Sequence, residues 1–546
     1  MLVASYSRQS VMASISCCTT SLPVNLRRPA LLFQQQAPTT TAGRSRRWLI
    51  SCAAQTNDDR SGRGSHVVPA SAVAKTDEAA TGSVQVGDME RGSLAEKSGR
   101  SDGQLTERWR EIHGSNNWEG LLDPLDTVLR GELIRYGEFA QACYDAFDYD
   151  RFSPYCGTCR YAPSTFFRDV GLEGVGYEVT RYLYATSNLK FPNFFDSRHA
   201  ESSQWSENAA FIGFVAVSTD EETARIGRRD IAVAWRGTVT KLEWVSDLTA
   251  LQMPVAELGV PCPDRSVKVE EGFGELYAGK DPGCRWCRYS AREQVLAEVR
   301  KLVELYHARG EEVSVTVTGH SLGSALAMLS AFDIAETEAN VTLSSEGENN
   351  NKKKAPVCVY SFSGPRVGNP RFKDRFERDL GVRCLRIVNV HDTVPRAPGA
   401  FLLLPWFDER MLPEFALRLL DTLGSRLVYT HLGVELALDH KVSPFLKDTL
   451  DLACYHNLEA HLHLLDGYQA RGMGFQLCGR DPALVNKAAD FLRDDHRVPP
   501  VWRQDANKGM VRTDEGRWVL PPRERELHDH PEDTEQHLQK LGLLSN

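Results

Sequence analysis

Apolar and polar positions along the middle of the chain follow two rhythms. Short apolar runs rich in β-branched or aromatic residues at 210–218, 231–235, 313–318, 357–362 and 384–390 read as strands. Between several of them the spacing lengthens to that of a helix. It is clearest over 290–308, where Ser290 and Glu293 form an S-x-x-E capping box and Val295, Leu296, Val299, Leu302 and Val303 mark one buried stripe. A second helical stretch, 128–147, brings Leu129, Leu133, Tyr136, Phe139, Ala140 and Cys143 onto one face. Strands alternating with helices of this length predict an α/β fold: a mostly parallel sheet covered by helices on both sides.

The first hundred residues lack either rhythm. Residues 1–54 are rich in Ser, Thr and Ala and hold six arginines with no Lys, Asp or Glu, the composition of an organelle transit peptide. Ile50-Ser51-Cys52-Ala53-Ala54 resembles a chloroplast processing site. Residues 55–104 mix Gly, Ser, Ala, Asp and Lys and cannot bury enough apolar surface to offset their ordering entropy, so they read as a linker. Order is expected from about Trp109. The expected organisation is then a helical N-terminal extension over 105–205, a core over 206–475 and a helical C-terminal extension over 476–546. Within the core, 344–354 reads as a solvated loop and 401–427 as an apolar segment packed near the site or a lipid surface.

Charge changes the picture little. Removing the six N-terminal arginines takes the formal −9 to −15, against a broadly basic nucleic-acid binder. No window approaches the 18 or so apolar residues of a membrane span, so any membrane contact is peripheral. Thirteen cysteines without a secretory leader do not form a disulfide framework. Cys156/Cys159 and Cys284/Cys287 are C-x-x-C pairs in separate segments. Four thiolates can bind zinc, two can act as a redox pair, and buried thiols can simply pack.

Gly319-His320-Ser321-Leu322-Gly323 fits G-x-S-x-G. The motif alone is weak. Its setting is stronger, because β-branched VSVTVT precedes it and the helix former LGSALAMLSAFDIA follows it. A strand turning sharply into a helix exposes the serine hydroxyl at the carboxyl end of the sheet and needs glycine where a Cβ would clash. The Leu322 N–H then points at a developing oxyanion, assisted by the helix N-terminus. Such a serine needs a histidine base and a carboxylate to orient it, in the chain order Ser, acid, His. Asp392 follows the strand-like RIVNV, where the acid belongs. His431, His440, His456, His461 and His463 all follow it, and spacing does not choose among them.

GHSLG, RGT at 236–238, EWVSDL at 243–248, FSGPRVGNP at 362–370, NVHDTVPR and HNLEAHLHLLDGY together resemble the lipase class 3 family. The chain is more closely similar to the plant chloroplast acyl-hydrolases of the phospholipase A1 gamma branch, related to the anther-dehiscence lipase. WREIHGSNNWEGLLDPLD, LIRYGEFAQACYDAFD and NKAADFLRDDHRVPPVW extend the likeness from about Arg108 to Trp518. The resemblance implies an α/β-hydrolase fold, Ser321 as nucleophile, Asp392 as acid, His456 as base, and Thr238 beside Leu322 in the oxyanion hole. It departs at His461, where such sequences carry Tyr. His463 reads as a packing residue and His320 as structural. The resemblance also implies a lid, here 249–264, and a glycerolipid substrate cleaved at the sn-1 ester at a membrane surface in the chloroplast, with no metal or organic cofactor. Two rivals are a catalytically silent lipase-like signalling protein and an esterase for non-lipid esters.

Overall fold

The computed structural model describes residues 105–149, 153, 155–186, 209–238, 251–284, 287–343, 352–398, 428–502, 511–512 and 518–519. The expected transit peptide and linker, EWVSDL and the apolar segment 401–427 lie outside them.

Asp126 starts the long helix α1 (Thr127–Asp145) by accepting hydrogen bonds from the N–H groups of Val128 and Leu129 at 2.9 and 3.0 Å. Its expected stripe, Leu129 to Cys143, is buried. Thirteen strands follow in chain order among the described residues: β1 (Tyr177–Thr186), β2 (Ala209–Ser218), β3 (Arg229–Trp235), β4 (Gln252–Pro254), β5 (Lys268–Glu270), β6 (Val313–His320), β7 (Val341–Leu343), β8 (Lys352–Lys354), β9 (Val357–Phe362), β10 (Arg383–Asn389), β11 (Val434–Leu438), β12 (Val511–Arg512) and β13 (Trp518–Val519). The longer helices after α1 are α2 (Glu271–Ala278), α3 (Ala291–Ala308), α4 (Leu322–Glu336) and α5 (Leu458–Gly467). Ser290 caps α3 with both halves of the capping box in place.

Seven strands form one sheet in the order β1-β2-β3-β6-β9-β10-β11. β3, β6, β9, β10 and β11 run parallel, and β1 and β2 join antiparallel at one edge. Period-two alternation sends Ile231, Val233 and Trp235 of β3 into a core shared with α2, α3 and α4, while Ala232 and Ala234 face a second core with α1 and α5. Both faces are covered, which is why β6 is buried along its whole length. No helix of the described residues is long and apolar enough to cross a membrane.

Four expectations are revised. The stretch read as a helical N-terminal extension contains β1, because YEVTRYLYAT is β-branched and aromatic and pairs with β2. The C-terminal extension, over its described residues 476–502, 511–512 and 518–519, carries 3-10 turns at Pro482–Lys487 and Asp494–His496 and a short antiparallel strand pair, Val511–Arg512 with Trp518–Val519, rather than α-helix. Pro482, Pro499 and Pro500 interrupt it. Buried ion pairs fasten it instead: Arg480 to Glu138 and Glu459, and Lys487 to Asp145. The loop 344–354 is shortened, since Lys352–Lys354 pairs with Val341–Leu343. The fourth revision is the lid. Of 249–264, the described residues 251–264 start a β4–β5 hairpin whose connection buries Val255, Leu258, Val260 and Cys262 in the core. A segment so packed must break core contacts to move.

Glu270 ends that hairpin and caps α2, accepting the Phe273 N–H at 2.8 Å through Oε2. Its Oε1 is buried without a partner, and burial pushes the carboxyl up from 4.5 to about 7. The folded state therefore holds a proton the unfolded chain releases between those values, and stability falls as pH rises through that window, then levels. Glu270→Gln keeps an acceptor and removes the cost. Denaturant unfolding at pH 5 and pH 8 is expected to show the variant gaining on the parent by about 3 kcal/mol at the higher pH; equal curves at both would refute the buried-carboxyl account.

Candidate active site

Ser321 joins β6 to α4 with φ 59° and ψ −129°, a conformation that non-glycine residues rarely hold. Such a residue costs about 1–3 kcal/mol and persists only where its surroundings enforce it. Here the Ser321 N–H donates to Phe362 O at 3.0 Å, and the Ser324 N–H donates to Ser321 O at 2.9 Å. The Ser324 hydroxyl donates to Gly319 O at 2.6 Å and lies 3.1 Å from Phe362 O.

The two motif glycines are required by contact. A Cβ on Gly319 would stand 2.3 Å from Gly323 O, and one on Gly323 would stand 2.4 Å from Trp235 O at the end of β3. The residues after β3 thus press against the turn, and a Cβ on Gly237 would lie 2.6 Å from His320 O. Arg236 is buried there, donating through Nε to Phe211 O and through Nη1 to Gly237 O, each at 2.9 Å. Its guanidinium lies over the Phe147 ring, 3.8 Å from the centroid. Because a trans peptide places C=O and N–H on opposite sides, holding Gly237 O fixes the direction of the Thr238 N–H. Thr238 is partly buried, and Leu322 is buried as the first residue of α4.

β10 delivers the carboxylate. Asp392 is buried in the turn after the strand, where Oδ1 accepts the Val394 N–H at 3.0 Å and Oδ2 stands 2.6 Å from Nδ1 of His456. The pair is shielded, with side-chain exposures of 1% and 7%. Nδ1 carries the shared proton, so Nε2 of neutral His456 presents a lone pair. That Nε2 is buried with no hydrogen-bond partner, the Ser321 hydroxyl included.

Two contacts invisible to motif reading hold His456. His320 Nε2 donates to the His456 carbonyl at 2.8 Å, and the Tyr144 hydroxyl of α1 lies 2.9 Å from His320 Nδ1. One nitrogen must donate to a carbonyl, so the other accepts from the phenol and His320 is neutral. Burial keeps its pKa well below 6.5. The two rings lie 4.6 Å apart, centroid to centroid. On the other side of the base, Asn389 Nδ2 donates to Tyr455 O at 3.0 Å. Of this brace the sequence marks only His320, as structural, and gives no sign of Tyr144.

The remaining histidines are committed elsewhere. His461 donates from Nδ1 to Asn457 O at 2.8 Å, leaving Nε2 to accept from the Ser363 hydroxyl at 2.6 Å, and burial lowers its pKa to about 4. His463 pairs with the Ser443 hydroxyl at 2.8 Å and packs between Phe445 and Phe475. His431 accepts from Arg366 Nε at 3.4 Å, and His440 stacks on Tyr455. The thiols Cys156, Cys159, Cys284 and Cys287 form no disulfide and do not assemble, among the described residues, into a four-thiolate group.

A mostly parallel sheet wrapped by helices, with a serine forced into positive φ between a central strand and the helix after it, defines the α/β-hydrolase class. A lipase (class 3) family model matches residues 232–402. Phospholipase A1-Igamma1, chloroplastic, of Arabidopsis thaliana is 53% identical over 484 residues, which is 87% of this chain and 91% of that protein. Phospholipase A1-Igamma2, chloroplastic, of the same plant is 53% identical over 82% of each chain. Among solved structures, a triacylglycerol lipase from Penicillium expansum is 17% identical with a TM-score of 0.33, covering 58% of this chain and 81% of that one. The chain belongs to the lipase class 3 family, alongside these phospholipases A1.

Because Gly323 abuts backbone rather than a flexible side chain, Gly323→Ala is expected to cost about 3 kcal/mol in urea unfolding. A loss below about 0.5 kcal/mol would show that the turn and β3 are not in the contact described.

Proposed function

We propose that this carboxylic ester hydrolase cleaves sn-1 fatty-acyl esters of glycerolipids (phospholipid, galactolipid or acylglycerol) through Ser321, His456 and Asp392. The observation that carries the reading is the buried Asp392–His456 pair at 2.6 Å, with Nε2 left to take a proton, braced through His320 against the turn that strains Ser321. A serine hydroxyl is a poor nucleophile at neutral pH; the imidazole accepts its proton as Oγ bonds to the ester carbonyl carbon, and Asp392 stabilises the imidazolium. The N–H groups of Leu322 and Thr238 receive the oxyanion, each donor contributing about 3 kcal/mol to lowering the barrier. His456 returns the proton to the departing alcohol. Water, deprotonated by the same imidazole, then releases the fatty acid from Ser321. The chemistry requires no metal or organic cofactor.

The two Arabidopsis relatives carry chloroplastic in their names, which, with the acid-free N-terminal 54 residues, supports import into the plastid; a glycerolipid substrate there would be met at a membrane surface by peripheral contact. Residues 55–104 serve as linker, 105–205 and 476–546 flank the core, and 206–475 carry the chemistry.

One observation favours a silent relative: Ser321 and His456 share no hydrogen bond. Catalytic hydrogen bonds are often long without substrate and tighten once it binds. The experiment offers mature protein phosphatidylcholine and galactolipid bearing different acyl chains at the two positions, with mass spectrometry of the products. Free sn-1 acid and the matching lysolipid are expected. Ser321→Ala and His456→Ala should each lower turnover by about 10⁴-fold or more while the circular dichroism spectrum is unchanged. His461→Gln should stay within about tenfold, since its imidazole is engaged with Ser363 and Asn457. Undiminished turnover in Ser321→Ala would sink the mechanism, and release of sn-2 acid alone would sink the positional assignment.

A further inference from the structure

The strand ends that support Asp392 also present a separate group of metal-ligating side chains. β10 ends at Asn389, two residues before His391; β11 ends at Leu438, directly before Asp439 and His440. The two strands are parallel, with Asn389 opposite Leu438 and the Val390 N–H donating to Leu438 O at 2.9 Å, so both exits lie side by side. One ligand atom from each of His391, Asp439 and His440 falls within 4.8 Å of the other two. His391 Nε2 is 3.1 Å from Asp439 Oδ1, and the imidazole rings meet edge-on with centroids 4.7 Å apart.

His440 supplies an independent observation. Its residue is 2% exposed, yet Nε2 has no hydrogen-bond partner, and Nδ1 lies a long 3.4 Å from Asn389 Oδ1. Leaving a buried imidazole nitrogen unmatched is unfavourable; with Nδ1–H directed at Asn389 Oδ1, a cation at Nε2 would relieve it. Two imidazoles and one carboxylate suit zinc and similar first-row ions, whereas magnesium and calcium take oxygen shells. Tetrahedral zinc needs ligand atoms about 3.3 Å apart at bond lengths of about 2.0–2.1 Å, so the group must contract. The side chains of His391 and Asp439 are 32% and 42% exposed; Asp439 Oδ1 also accepts the Lys441 N–H at 2.9 Å, so the contraction must come from His391 or from the carboxylate turning its second oxygen inward. The fourth position would be left to water.

We propose that His391, Asp439 and His440 form a binding site for a zinc-class divalent cation, separate from the ester-cleaving residues. The ion would fasten two segments that hold the acid and the base. His391 immediately precedes Asp392, and His440 stacks on Tyr455, the residue before His456, with centroids 4.5 Å apart at 24°. The site stands on this geometry whether or not lipid hydrolysis is the activity.

The test uses the full chain, stripped with chelator and kept reduced, and titrates it with zinc chloride in competition with a chromogenic chelator. The parent is expected to bind one zinc more tightly than a His391→Gln/Asp439→Asn variant by at least about tenfold, since even outer partners of a metal site are worth about 10- to 100-fold. Zinc should raise the melting temperature of the parent and leave that of the variant unmoved. Cobalt(II) should develop the visible bands of a four-coordinate nitrogen–oxygen site in the parent alone. Each single substitution is measured in the same way, with metal-free ester turnover reporting that the variants are folded. Equal zinc affinity in parent and folded variants overturns the proposal, as does a cobalt spectrum dominated by thiolate charge transfer.

Discussion

The reversal between β6 and α4 is the constraint on which the rest of the molecule depends. Ser321 holds a backbone conformation that a free chain would leave at once, and it is kept there by bonds to Phe362 on the neighbouring strand and by the Ser324 hydroxyl. Those bonds exist only because β6 sits in mid-sheet, between β3 and β9, with a packed core on either face. The missing side chains at Gly319, Gly323 and Gly237 matter as much, because they let the turn and the end of β3 approach backbone to backbone. The same approach brings Gly237 against the His320 carbonyl and Gly323 against Trp235. Geometry that strains the serine therefore also packs the end of β3 against it.

From that turn the structure reaches outward to clamp the histidine. The carbonyls of Tyr455 and His456 are successive acceptors, one taken by Asn389 and the other by His320. His320 is itself oriented by Tyr144, on a helix that lies outside the matched stretch 232–402. The N-terminal segment is therefore part of the site's framework. Buried polar chains of this kind are worthwhile only when every member is satisfied, and here each donor has an acceptor up to the one atom left open, Nε2 of His456.

How much of this was legible follows from where each signal resides. Central strands were plain because both faces are buried and their runs are continuously apolar; 313–318 extended only to His320. β1 and β11 escaped notice because edge strands expose one side: residues 178–181 are only partly shielded or exposed, and Glu435 of β11 pairs with Arg386. The serine turn and Asp392 could be read from local order. His456 could be set apart from His461 only by resemblance, since what separates them is contact with Asp392, 64 residues away. Tyr144 was beyond reach for the same reason, at 176 residues from His320. Sequence patterns report burial well; they do not report which buried groups meet.

Histidine chemistry in this region is decided by partner and exposure rather than by position in a motif. His456 and His391 each stand beside an aspartate, from loops that leave adjacent strands. The first pair is 2.6 Å apart and nearly dry; the second is 3.1 Å apart and about a third exposed. In the dry pair the carboxylate acts at low dielectric and holds the imidazole in one orientation. Water screens the wet pair, and Asp439 Oδ1 also accepts the Lys441 N–H at 2.9 Å. His320 and His461 have no carboxylate hydrogen-bonded to the ring; burial keeps both neutral, suited to bracing rather than to proton transfer. One residue type thus stands in three settings in this region, and the partner and the solvent at each ring separate them.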